Sequence, residues 1–195
     1  MPERITDELL LQRAGEGDQA AFLELYERHR QPIFRFAFRL LGSVEIAEDV
    51  THDCFLSLIK KPENFRSERG GLRTYLFAAA RNLALKHFRN TGREAGLDDV
   101  TEEPRVSERQ QPLRRLLDEE LALEVRQAVL RLSPLQREAL VLFEYEGLAL
   151  SEIADVVGAD VGAVKARLFR ARESLRNALG PYLNSSREIV TLKEA

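Results

Sequence analysis

The sequence predicts an all-α chain built as two small helical units. Three observations carry that expectation. Apolar residues recur at spacings of three and four, alternating strand patterns and Asn-Gly hairpin signals are almost absent, and the periodicity breaks between about Thr91 and Pro112, where prolines, glycines and charges take over. With 195 residues, 44% hydrophobic and 31% charged, the chain has apolar material for two cores and lacks the composition of a disordered protein.

Taken in order, Ala20, Phe22, Leu23, Leu25 and Tyr26 open a helix, and Ile33, Phe34, Phe36, Ala37, Phe38, Leu40 and Leu41 continue its apolar material to Gly42. Pro32 either kinks this stretch or starts a second helix. Ser43 caps the next one, whose Val44, Ala47, Val50, Cys54 and Leu58 share a face, and which stops before Pro62. Residues 64–71 read as a loop, and Leu72 to about Arg89 as a further long helix that closes the first unit.

From Glu94 to Glu120 nine acids stand against four arginines, which makes an acidic linker. Helical spacing resumes at about Leu113, and Ser133-Pro134 with Glu138 reads as a cap and first turn. Gly147, Gly158 and Gly180-Pro181 then punctuate three helices of the second unit, and Tyr182 to Ala195 reads as a frayed polar tail. The expected boundaries are 1–92 for the first domain, 93–118 for a flexible linker, 119–180 for the second domain and 181–195 for the tail.

Composition narrows the function. The net charge of −3 gives no overall argument for nucleic-acid binding, so local charge must decide. The single Cys54 cannot form an intramolecular disulfide, and no Cys, His and carboxylate cluster has zinc-like spacing, so neither metal nor cofactor is expected. His29, His52 and His87 are scattered and no glycine-rich phosphate loop is present, which argues against an enzyme. The first eleven residues carry Glu3, Asp7 and Glu8 rather than a basic start and an apolar core, and no apolar run reaches the ~18–20 residues of a membrane span. A cytoplasmic protein without membrane insertion is expected.

The second unit carries the clearest pattern. Ser151 to Gly158 is a short amphipathic helix ending at glycine, and only Ala159 and Asp160 separate it from a long helix beginning near Val161: helix, glycine turn, helix. Val164, Leu168, Ala171 and Leu175 form the buried stripe of the second helix, which turns Lys165, Ala166, Phe169 and Arg170 outward. Lys165, Arg167, Arg170, Arg172 and Arg176 face a single acid, Glu173, between Val161 and Gly180. Such a positive face on an acidic protein suits DNA phosphates, and an outward aromatic can touch a thymine methyl or a sugar.

Residues 161–172, Val-Gly-Ala-Val-Lys-Ala-Arg-Leu-Phe-Arg-Ala-Arg, resemble the recognition-helix signature of the bacterial extracytoplasmic-function (ECF) sigma factors of the sigma-70 family. Residues 132–142 resemble the first helices of that family's region 4. Ala47-Glu48-Asp49-Val50-Thr51-His52-Asp53-Cys54-Phe55 resembles the core of its region 2, as do Phe65-Arg66, the segment 72–76 and Ala80-Arg81-Asn82-Leu83-Ala84. Tyr75 stands where the family generally has Trp, and Ala163 and Ala166 replace Thr and Ser.

The resemblance implies an alternative-sigma transcription initiation factor that binds core RNA polymerase, directs it to promoters and assists melting. Glu45, Glu48, Asp49 and Asp53 lie at i, i+3, i+4 and i+8, on one face of a helix, and form a docking surface for a basic partner. By resemblance that partner is the clamp coiled coil of the polymerase beta-prime subunit. Leu72 to Arg93 carries Arg73, Arg81, Lys86, Arg89, Arg93 and His87 with no acid, which suits a DNA backbone. The resemblance implies that Phe65, Ser67, Arg81, Asn82, Lys86 and Arg89 serve the minus-ten element, with the Ser67 to Gly71 loop cradling a flipped base; Phe65 and Tyr75 either stack on that base or belong to the core. It likewise assigns Lys165, Ala166, Arg167, Phe169, Arg170 and Arg172 to the minus-thirty-five element. Promoter DNA and an anti-sigma factor complete the implied partners of a chain that is monomeric when free. The competing reading is a conventional helix-turn-helix regulator that binds duplex DNA without polymerase. For the acidic linker two readings stand: it screens the basic helices in the free chain, or it only keeps the segment soluble and extended.

Overall fold

A computed structural model describes residues 5–91 and 112–191. Eight α-helices follow one another among the described residues, without strands: α1 (Asp7–Gly15), α2 (Gln19–Leu41), α3 (Val44–Lys60), α4 (Leu72–Thr91), α5 (Pro112–Leu130), α6 (Pro134–Leu140), α7 (Leu150–Val157) and α8 (Val161–Thr191). The first four form one helical unit and the last four the other, as the sequence predicts. Residues 92–111, which hold most of the expected linker and with it Asp98, Asp99, Glu102 and Glu103, lie outside the described residues.

Helix α1 was not expected. Its signal is local: Thr6 accepts a hydrogen bond from the Leu9 amide, Asp7 and Glu8 occupy the first turn, and Leu10, Leu11 and Ala14 are buried. Asp7 also anchors it to α2, accepting from Arg28 at 2.9 Å and lying 2.7 Å from His29. Helix α2 runs unbroken through Pro32. A proline inside a helix costs about 3 kcal/mol. Burial of Leu25, Ile33, Phe36 and Leu41 along one continuous core face outweighs this, at about 1.5–3 kcal/mol for each large side chain. Ser43 caps α3 by accepting from the Ile46 amide, and Ala47, Val50, Cys54 and Leu58 are buried on the expected face, with Val44 packed at its edge.

Two boundaries and one cap differ from expectation. The helix expected from about Leu113 starts at Pro112, so residues 112–118, assigned to the linker, belong to α5; proline at a helix start forfeits no internal hydrogen bond. Helix α8 does not stop at Gly180-Pro181 and instead reaches Thr191. Helix α8 packs on α5, and just past Pro181 the Tyr182 hydroxyl bonds Glu124 of α5, a tertiary contact that works against the local stop signal. Ser133 makes no side-chain cap, and Glu138, two positions beyond the capping-box site, is drawn into the interior by arginines.

The two units share one continuous apolar core, with α4 packed on α7 and α2 touching α5 and α6. Arg137 bridges them. Its buried guanidinium donates to Leu40 O at the end of α2 (2.5 Å), to Leu132 O (3.1 Å) and to Leu130 O, using carbonyls that helix ends leave unpaired. Burial pulls its pKa down to about 10, so it still carries its charge at neutral pH. No helix among the described residues is long and apolar enough to cross a membrane.

Candidate nucleic-acid interface

The helix-turn-helix forms where the spacing predicts it. Helix α7 ends at Gly158, whose φ of 63° is the left-handed conformation that glycine adopts without a Cβ penalty. The Asp160 carboxylate then accepts from the Ala163 amide at 2.8 Å and starts α8. Val164, Leu168 and Ala171 are buried and Leu175 packs beside them, which turns the opposite face to solvent. On it Lys165, Ala166 and Arg170 are exposed, and Phe169 is 69% exposed. Neither Lys165 nor Arg170 pairs with a described acid.

Two neighbouring arginines are engaged within the protein. Arg167 is half-buried and donates to Glu138 at 3.2 Å. Arg172 bonds Glu144 at 2.6 Å and stacks its guanidinium over Phe143. The helix thus presents a free pair, Lys165 and Arg170, around an exposed aromatic, flanked by two arginines already held by acids.

On the first unit, Glu45, Glu48, Asp49 and Asp53 are exposed on one side of α3, and none pairs with a described cation. Cys54 lies on the buried side with its thiol 3.5 Å from Leu76 O, and burial pushes its pKa up to about 12. This thiol is inert.

The segment between α3 and α4 forms two short tight turns, at Pro62–Asn64 and Ser67–Arg69. Phe65 is half-buried, its ring edge-on to Tyr75 at 5.7 Å, and burial pushes the Tyr75 hydroxyl up. Phe65, Arg66, Ser67 and Glu68 line an open cavity of about 500 Å³ together with Glu8 and Gln12 of α1. The contribution of α1 is invisible without the fold. Asn82, Lys86 and Arg89 follow on one exposed face of α4. Arg81 turns the other way, into the junction between the units, where it clasps Glu138.

The fold and these faces define a two-part, all-α, helix-turn-helix protein with one acidic and two basic surfaces. Comparison with known proteins narrows this. The model of sigma-70 region 2 matches residues 25–94, and that of sigma-70 region 4 matches residues 122–175. The RNA polymerase sigma-H factor of Pseudomonas aeruginosa is 32% identical over 188 residues, covering 92% of this chain and 97% of that protein. The ECF RNA polymerase sigma-E factor of Escherichia coli K12 is 30% identical over 191 residues, covering 94% and 99%. Among solved structures, the sigma factor RpoE in complex with the anti-sigma factor NepR from Bartonella quintana aligns with a TM-score of 0.66 at 25% identity, covering 82% of this chain and 96% of that one. CnrH in complex with the cytosolic domain of CnrY aligns with a TM-score of 0.66 at 27% identity, over 90% and 97%. The chain belongs to the ECF sigma factors of the sigma-70 family and is an alternative-sigma transcription initiation factor.

Proposed function

We propose that this sigma factor divides its work among three surfaces. The acidic face of α3, Glu45, Glu48, Asp49 and Asp53, docks core RNA polymerase through a basic partner helix pair. The surface around Phe65, Ser67, Asn82, Lys86 and Arg89, joined by Arg81, binds the minus-ten element, and Phe65 stacks on an extruded base. The outer face of α8 reads the minus-thirty-five element, with Lys165 and Arg170 at base edges, Ala166 and Phe169 in apolar contact, and Arg167 and Arg172 directed to phosphates once released from their acids. An anti-sigma protein restrains the free factor, in keeping with the complexes of the two related structures.

The observation that carries this reading is the outer face of α8. An aromatic 69% exposed between two cations without described partners contributes little to folding and has the composition of a groove-binding surface. The test is a promoter selection with the chain and core polymerase together. Arg170→Ala should blur one position of the minus-thirty-five element, whereas Asn82→Ala should alter only the minus-ten element. An unchanged consensus in both variants would contradict the assignment.

A further inference from the structure

The junction between the two units holds a carboxylate that the division of labour above does not use. Glu138 of α6 is 2% exposed. Arg81, on α4 of the other unit, grips it in a two-pronged bond, Nε to Oε2 at 2.6 Å and Nη2 to Oε1 at 3.2 Å. From its own unit, Arg167 donates to the same Oε1 at 3.2 Å. One buried anion therefore occupies one arginine from each DNA-binding surface.

Other bonds close the same seam. Arg39 of α2 reaches the buried Glu146 carboxylate at 3.3 Å and lies over the Tyr145 ring at 4.3 Å. Arg73 of α4 donates to Glu146 O at 2.5 Å, and Arg137 to Leu40 O at 2.5 Å. All are charge-assisted, and those on Glu138 are shielded from salt by burial.

We propose that Glu138 acts as a phosphate surrogate that latches the free factor in a closed form unable to bind its promoter. The inference rests on the promoter assignments proposed above. Elements about 25 base pairs apart are separated by roughly 85 Å at ~3.4 Å per base pair. Arg81 and Arg167 cannot serve both elements while they share one carboxylate oxygen. Binding requires both Arg81 and Arg167 to leave Glu138 for DNA phosphates. The latch suppresses DNA binding by the fraction of chains that are closed, so about 90% closed means about a tenfold weaker apparent affinity.

The test uses the full chain with dyes on Ser57→Cys and Asp155→Cys, both exposed positions, while the buried Cys54 stays unlabelled. Glu138→Gln keeps the shape and removes the charge. Arg39→Ala loosens the seam without touching Glu138, Arg81 or Arg167, and reports the same opening should Glu138→Gln fold poorly. Both variants should lower energy transfer between the dyes, as core polymerase should in the wild type. Both should also raise the low-salt affinity of the polymerase-free chain for a promoter duplex about tenfold. Unchanged transfer, or opening with unchanged DNA affinity, in a folded variant overturns the latch. A wild-type chain that fails to direct core polymerase to any promoter overturns the assignments beneath it, a separate outcome read in a separate assay.

Discussion

Reversing Asp49 and Asp53 to lysine should uncouple this factor from core polymerase without unfolding it. Both side chains are exposed on α3 and neither holds a described partner, so the fold loses no ion pair. A basic side chain about 4 Å from each carboxylate contributes about 1 kcal/mol in water. Reversal replaces that attraction with a comparable repulsion, about 2 kcal/mol per site. For the double variant the loss reaches about 4 kcal/mol, or roughly a thousandfold in Kd, at low ionic strength. The Debye length shrinks from ~30 Å at 0.01 M salt to ~8 Å at 0.15 M, so the defect should narrow as salt rises and should fall partly on the association rate. Anisotropy titration of the labelled chain with core polymerase at two salt concentrations reads the effect, and a melting curve reports the fold. A folded double variant with wild-type affinity at both salt levels would refute the docking face.

Further outcomes follow from single sites. Arg170→Ala should cost about 1–3 kcal/mol of promoter binding and relax one base position, measured by competition with single-base promoter variants. Phe169→Ser should leave the melting temperature almost unchanged, because the ring is 69% exposed, yet weaken binding to the minus-thirty-five element. Gly158→Ala should destabilise the second unit by about 1–2 kcal/mol in denaturant titration, since φ of 63° is left-handed backbone that penalises a Cβ. Cys54 should resist alkylation in the native chain and react after denaturation. Because burial raises its pKa from 9.0 to about 12, the unfolded thiol loses its proton first and stability should fall as pH rises across that interval.

The helix-turn-helix was legible because its signals are local. Gly158, Asp160 and the stripe Val164, Leu168 and Ala171 each act within a few residues, and the structure keeps all of them. The same holds for the face of α3 and its Ser43 cap. Glu138 was misread because its partners, Arg81 and Arg167, lie 57 and 29 residues away, and only packing brings them together. Pro32 is ambiguous and Gly180-Pro181 reads as a stop that the structure does not keep, for a related reason: tertiary burial in one case and contact with α5 in the other outweigh the local penalty. Helix α1 could have been found from Thr6 followed by Asp7, Glu8 and the apolar Leu10, Leu11 and Ala14. Its part in the cavity beside Phe65 could not, because no pattern in the sequence indicates which loop a helix will face.

On the proposed reading, this chain gives core RNA polymerase its promoter specificity through two separate DNA elements. In vitro transcription on a randomised promoter library, with start sites mapped by sequencing, tests it most directly. Transcripts should require both chain and core polymerase, and their templates should share a minus-ten and a minus-thirty-five motif at a fixed spacing. Protection of duplex DNA by the chain alone, with no dependence of transcription on it, would contradict the account and identify a conventional helix-turn-helix regulator instead.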